Sequence, residues 1–369
     1  MSKICLYCLA FQFLFAAVAF AAKPVTVDQL ESALRKTQTQ QDADVAQQLS
    51  GLELTERLST TRLSAMEARL PGEKSRVALL ALADASAFLD PPAADIPADP
   101  PPDINAQRLM ISRAVNYLDT EIPKLPNFFA TRTIVYFADN LKKNGRPDAN
   151  GRGGKPWRTT GSSTTTVYFR DGKEDKDIGQ GEEKIQSANQ ERLIPTGTFG
   201  PILSRVMDEV GDGQLTWRRW ERGADGTRAV FRFAVPQTRS HFEVDFRSSS
   251  AWEEAEYFQQ FSAYHGEIKV DPATGTILRL ILDADLEPGL PVARAGLVVD
   301  YGPVEIGGKT YICPVRSVSL LVGRTLLRPG GYAGNTRSPS DFGPETALLS
   351  DITFGQYHVF RAEAHIVPY

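Results

Sequence analysis

From residue 125 onward the apolar residues recur with a period of two, and short turns rich in Gly, Pro, Asp and Asn cut the pattern into strand-length pieces. Phe128, Ala130, Arg132, Ile134 and Tyr136 alternate with Phe129, Thr131, Thr133, Val135 and Phe137. Residues 164–170 form the next segment and turn at Asp171-Gly172. Residues 215–222 meet 228–235 across Gly223-Ala224-Asp225-Gly226, and Phe242, Val244 and Phe246 share one face of a third strand. Residues 267–270 return through Asp271-Pro272-Ala273-Thr274-Gly275 into 277–286. Residues 297–301 and 304–306 lead through Gly307-Gly308 into 310–322, and two last strands are expected at 348–354 and 357–367. About ten locally joined strands without repeated βαβ spacing call for one large antiparallel sheet, and a sheet that wide curls or closes. The expected architecture is a curved half-barrel with one or two helices on its concave face. Asp103 caps one of these, bearing Ile104, Ile111, Val115 and Leu118; the other carries Phe199, Leu203, Val206 and Val210.

Ahead of the strands the period is helical. Thr26 and Gln29 fit a capping box, followed by Val27, Leu30 and Leu34 on one face. A second helix carries Val45, Leu49 and Leu52, and a third carries Leu63, Met66 and Leu70 before Pro71-Gly72. A fourth is expected over residues 75–89. Residues 91–102 hold six prolines, a composition that breaks helices and forms a semi-rigid connection. The chain therefore reads as α+β: a leader at 1–21, a small helical domain at 22–90, a Pro-rich linker at 91–103, and an antiparallel β domain with helices at 104–369.

The leader reading rests on Lys3, the apolar run 4–22 and the small-x-small pattern Ala19-Phe20-Ala21. It implies cleavage and a periplasmic or extracellular destination; the competing reading is a retained membrane anchor. Cys5 and Cys8 would leave with it, so Cys313 would stand alone, in an apolar strand where a buried inert thiol is expected. The formal charge of −4, or −5 without Lys3, supplies no electrostatic footprint for nucleic acid or an anionic membrane. No later apolar run reaches spanning length, so no stable transmembrane span is expected after cleavage.

Only four histidines are present. His241, Glu243 and Asp245 alternate on a strand, a pattern open to a metal patch or an acid–base pair but ordinary for a solvated strand face. His265 stands before Gly266 in a corner, and Glu363 and His365 share a face of the last strand with His358 opposite. Trp217, Arg218, Arg219, Trp220 and Arg222 mix aromatics with cations, a pattern open to stacking on nucleic acid or a sugar, but strand aromatics packing on helices is the expected role. Gly-x-Ser-x-Gly, a phosphate loop and His-Glu-x-x-His do not occur in the sequence. No catalytic residue, metal ligand or cofactor is assigned.

Three stretches are distinctive: Leu125-Pro126-Asn127-Phe128-Phe129-Ala130-Thr131-Arg132; Tyr264-His265-Gly266-Glu267-Ile268 with the turn Asp271 to Gly275; and Tyr301-Gly302-Pro303-Val304-Glu305-Ile306-Gly307-Gly308-Lys309-Thr310-Tyr311. They resemble a group of secreted bacterial proteins of unknown function over most of the chain. More distantly, the run of long hairpins resembles the periplasmic lipoprotein-localisation carrier superfamily. That resemblance implies a strongly curved antiparallel sheet wrapped around helices and an apolar cavity, and it transfers no site residue. Together these features point to a non-enzymatic binding protein that holds a lipid or other apolar ligand on Trp217, Phe231, Phe233, Phe242 and Leu280. The alternatives are a cell-envelope protein-interaction module docking through residues 24–90, and a hydrolase using His241 or His265 with nearby carboxylates.

Overall fold

The structure is a computed structural model that describes residues 22–37, 39–139, 157–176, 183–185, 201–211, 215–223, 226–248, 256–326 and 342–360. The leader at 1–21 and the pair Glu363 and His365 lie outside the described residues. The first elements are β1 (Lys23–Val25), α1 (Val27–Leu34), α2 (Asp42–Ser50), β2 (Leu52–Leu54), α3 (Thr60–Glu67) and α4 (Glu73–Ala85). Then come α5 (Ile104–Glu121), β3 (Phe128–Asp139), β4 (Trp157–Arg170), β5 (Lys173–Lys176), β6 (Glu183–Ile185) and α6 (Pro201–Val210). Strands complete the chain: β7 (Thr216–Gly223), β8 (Gly226–Val235), β9 (Glu243–Ser248), β10 (Glu256–Phe261) and β11 (Ala263–Val270). Last are β12 (Ile277–Asp285), β13 (Val292–Ile306), β14 (Lys309–Leu326) and β15 (Phe342–Val359).

The large antiparallel sheet expected from the hairpin series is present. Its order is β5-β4-β3-β15-β14-β13-β12-β11-β8-β7, with β6 beside β4, and each described pair in it is antiparallel. Three local expectations are corrected. The strand bearing Val244 and Phe246 does not join the sheet after β8; it pairs with β10 as a separate ribbon, and β11 takes the place beside β8. The two last strands are one as far as residue 359, because Gln356 and Tyr357 stand opposite Ala130 as a bulge, with Gln356 at φ 50°, through which β15 continues; residues 361–367 lie outside the described residues. Leu52 is not helical: α2 ends at Gly51, and the chain runs on extended, so β2 lies parallel to β1.

Alternation gives the sheet two buried faces. On one, Trp217, Phe231, Ile268, Leu280 and Val299 stand in a single cross-strand row. Met110, Ala114, Tyr117 and Leu118 of α5 and Leu203, Val206 and Val210 of α6 pack onto that row. Arg113 of α5 donates from Nη1 to the Pro272 carbonyl at 2.8 Å. Gly275 closes that turn at φ 79°, and a Cβ there would lie 2.3 Å from the Arg113 backbone, so this position needs glycine twice over.

The opposite face receives residues 22–90. Thr26 and Gln29 close the capping box of α1 at 3.2 and 3.0 Å. Asp42, at the start of α2, accepts bonds from the Lys74 and Ser75 backbone N–H groups and so caps α4 from another helix. Val27, Leu30, Val45, Leu49, Leu63, Met66, Leu79 and Leu82 form the core of this segment. Ala81, Ala87 and Phe88 turn the other way and meet Phe137, Val298, Val318, Leu320 and Leu349 of the sheet. Phe88 seats against Gly296, where a Cβ would stand 2.6 Å from the ring. The Pro-rich stretch lies along β7: Trp220 Nε1 donates to the Pro100 carbonyl at 3.0 Å and Arg222 Nε to that of Ala94 at 3.2 Å.

Charge runs across the same face. Arg219, Val230, Lys269, Arg279, Asp300 and Arg316 form one cross-strand row. Residues 22–90 complete it from above. Arg57, 5% exposed, pairs with Glu221, 3% exposed, which Lys269 and Arg219 also bind. Arg316 binds Asp351 at 2.7 Å and also Asp84, which is fully buried. Arg279 holds Asp300 at 2.6 Å and donates to the Ala87 carbonyl at 3.0 Å.

Asymmetry within this network is testable. Arg316→Met would strand two buried carboxylates and should cost about 3–5 kcal/mol. Asp84→Asn keeps an acceptor oxygen toward Arg316 and leaves Asp351 to balance it, so it should cost less, under about 1.5 kcal/mol. Urea denaturation of both variants checks the difference, and equal losses would refute it. Burial raises the Glu221 carboxyl, but Arg57, Lys269 and Arg219 outweigh it and bring it from 4.5 to about 2. A carboxyl lowered on folding stabilises the fold above its unfolded value and loses that contribution as pH falls through its folded one. Stability should therefore drop between about pH 4.5 and about pH 2 more steeply in wild type than in Glu221→Gln. Parallel acid titrations followed by circular dichroism measure the two slopes.

Candidate functional site

The five apolar residues singled out in the sequence fall close together. Phe231 and Leu280 are fully buried, and Phe233 is 4% exposed. Trp217 and Phe242 are half-buried against the same cluster. Trp217 meets the Phe231 ring edge-on at 5.6 Å, and Phe242 tilts on Tyr264 at 5.5 Å. Trp217, Phe231, Phe233 and Leu280 line the sheet face that α5 and α6 cover, and Phe242 packs on that cluster from just ahead of β9.

His241 and His265 each face a carboxylate. His241 Nδ1 lies 2.9 Å from Glu209 Oε1. Glu209 is buried on α6, and it also accepts from the His241 backbone at 3.1 Å and from the Tyr264 hydroxyl at 2.7 Å. It thus ties α6 to two strand segments. Burial and this carboxylate push the Tyr264 phenol far up. His265 Nδ1 lies 2.7 Å from Asp285 Oδ1. Their side chains are 71% and 56% exposed, and among the described residues neither histidine bonds a hydroxyl or thiol that it could activate. Glu243 binds Gln259 on the ribbon, and among the described residues no three His, Cys, Asp or Glu side chains converge as a metal site. Cys313 is buried, which pushes its thiol up to about 12 and suppresses thiolate chemistry.

A cleft of 660 Å³ opens where α4 gives way to Phe88, Leu89 and Asp90, over the ends of β7, β8, β11 and β12. Phe88, Ala234 and Ile281 supply apolar surface in it, and His265 stands on its wall. Three carboxylates line it, and each is already paired. Asp90 holds Arg218 at 3.2 Å and Arg219 at 3.1 Å. Glu267 takes two bonds from Arg219 at 3.0 and 2.9 Å. Asp283 binds Arg294 at 2.6 Å, whose guanidinium lies 5.0 Å over the Phe88 ring. Arg232, exposed on β8, is different. Its Nε donates to the Thr216 hydroxyl at 3.2 Å, and no carboxylate pairs with it among the described residues. The cleft thus combines apolar surface with a guanidinium that no carboxylate among the described residues neutralises.

Sequence reasoning found His265 but not the cleft around it, nor Arg232 as its unpaired cation. The available signal was register: Arg232 faces Glu267, and Ala234 faces His265. What closes the cleft is the Phe88–Asp90 segment, whose place over these strands has no local signature. No helix among the described residues is long and apolar enough to cross a membrane.

Comparison of the chain with family models, curated proteins and solved structures yields no match.

Core and cleft residues should separate in stability. Phe231→Ala should cost about 3–5 kcal/mol by opening a cavity, while Arg232→Ala should stay within about 0.5 kcal/mol of wild type. Denaturation midpoints of the two variants test this, and a large loss for Arg232→Ala would make it a structural residue.

Proposed function

We propose that the protein is a non-enzymatic binding protein, exported to the periplasm or beyond, that holds an amphipathic ligand in the cleft beside Phe88. The observation that carries this reading is Arg232, a cation without a carboxylate partner among the described residues, beside the apolar surface of Phe88, Ala234 and Ile281. An open cleft of several hundred Å³ with a few oriented polar groups is the usual form of a small-molecule site. A lipid or acyl chain with an anionic head matches it. The chain would lie on the apolar surface and the head would face Arg232.

Two further features support a carrier. The sequence resembles the lipoprotein-localisation carriers in its run of long hairpins. Neither histidine–carboxylate pair has a nucleophile beside it among the described residues, and this favours binding over hydrolysis.

Native mass spectrometry of protein purified from its own host, followed by solvent extraction, tests the reading. A reproducible apolar adduct is expected, released by solvent and depleted in Arg232→Ala. A clean apo mass would remove the carrier reading and favour the envelope interaction module instead.

A further inference from the structure

The cleft beside Phe88 is not the end of the open space under residues 22–90. A second cavity, of 640 Å³, lies between β2 and α4 on one side and Arg294 of β13, Asp139 of β3 and Trp157 of β4 on the other. It thus follows the cleft along the strand order, since the cleft covers β7, β8, β11 and β12. Leu89 lines both spaces. A thin partition stands beside it. The Phe88 ring sits on Gly296, and the Arg294 guanidinium lies 5.0 Å over that ring. Asp283 of the cleft wall holds Arg294 at 2.6 Å and faces Gly296 across β12 and β13.

The two spaces differ in what they leave open. The cleft holds Arg232, which no carboxylate among the described residues neutralises. In the second cavity the polar groups are already used. Asp139 accepts from the Ala347 backbone at 2.7 Å, and Thr55 donates to the Val25 carbonyl at 3.3 Å. Ser50 donates to the Gln47 carbonyl at 2.9 Å and Ser86 to that of Ala83 at 2.7 Å. Arg294 belongs to Asp283, and exposed Glu53 adds a charge that repels anions. The rest of the wall is apolar, with Leu49, Leu54, Ala78, Leu82 and Trp157. Such a wall favours hydrocarbon and offers nothing to a second anionic head. Each cavity alone falls in the range of about 300–1,000 Å³ that suits a compact small molecule, and the pair exceeds it.

We propose that the ligand of the Phe88 cleft is a long-chain acyl amphiphile, whose anionic head meets Arg232 and whose chain end passes the Phe88–Arg294 partition into the cavity beside Trp157. This rests on the reading of the cleft as a ligand site, and adds to it the length of the chain and the place of its end. Passage asks only that the Phe88 ring change rotamer, with Arg294 still held by Asp283.

Titration of the full chain with octanoate and hexadecanoate, each below the concentration at which it aggregates, tests the chain's length. Each buried methylene strengthens binding about fourfold, so hexadecanoate should bind at least about a hundredfold more tightly than octanoate. Ala78→Phe fills the second cavity and should remove most of that gain while octanoate affinity stays within about twofold. Ala85→Leu, on the same wall, offers the same reading if Ala78→Phe fails to fold. Arg232→Ala should weaken both acids about tenfold. The bromine of ω-bromohexadecanoate quenches a tryptophan that it touches, and the quenched emission should be missing in Trp157→Phe. Three results would each overturn the chain placement and leave the cleft reading standing: octanoate bound through Arg232 with no gain for hexadecanoate, a gain untouched by either filling variant, or a terminal bromine that spares Trp157. No binding of either acid, or binding indifferent to Arg232→Ala, would overturn both.

Discussion

The charged row between residues 22–90 and the sheet is the constraint on which the rest depends. Buried ions are tolerable only when each has a partner and its remaining polar atoms are bonded. Here the partners come from different parts of the chain: Arg57 meets Glu221, and Asp84 meets Arg316. The sheet face without the helices would expose Arg219, Lys269, Arg279, Asp300 and Arg316 in a row, with Glu221 deprived of Arg57 and Arg316 of Asp84. The helices without the sheet would expose Arg57, Asp84 and the apolar seam of Ala81, Ala87 and Phe88. Such shared networks couple the two parts far more tightly than surface ion pairs would.

That arrangement also shapes the cleft. The row fixes where α4 lies, α4 fixes Phe88, and Phe88 rests on Gly296 under the Arg294 guanidinium. The cleft is the space left where this cover ends. Its carboxylates belong to the same ionic web as the buried row, since Arg219 touches both Glu221 and Glu267. Arg232 stays outside that web although it faces Glu267 on the neighbouring strand. The proposed ligand would therefore meet a residue that the structural network does not use.

Legibility in the sequence followed the locality of the cause. Capping at Thr26, the hairpin at residues 223–226 and the turn ending at Gly275 depend on neighbours a few positions away, and each could be read. The ribbon of β9 and β10 could not, because alternation at Val244 and Phe246 says only that a strand has two faces. The break at Gly355-Gln356 looks like a turn, and only pairing with β3 shows it to be a bulge. Alternation likewise gives no sign that the polar sides of β11, β12 and β14 are covered. Nothing within those strands announces that a helix lies on them. The clue was Asp84, a lone carboxylate in the run Ala81-Leu82-Ala83-Asp84-Ala85, where an exposed face would be expected to hold more polar residues. Arg132 gave a similar sign, as the one charge within an inward stripe.

The proline segment along β7 has a consequence for association. β7 ends the strand order, and the outermost strand of any sheet presents unpaired backbone groups to whatever chain comes near. The segment beside it offers carbonyls to Trp220 and Arg222, yet its prolines have no N–H with which to continue a ladder. It occupies the flank of the edge without becoming a strand that would itself need a neighbour. A second chain that approached this flank would meet the proline segment as well as the strand.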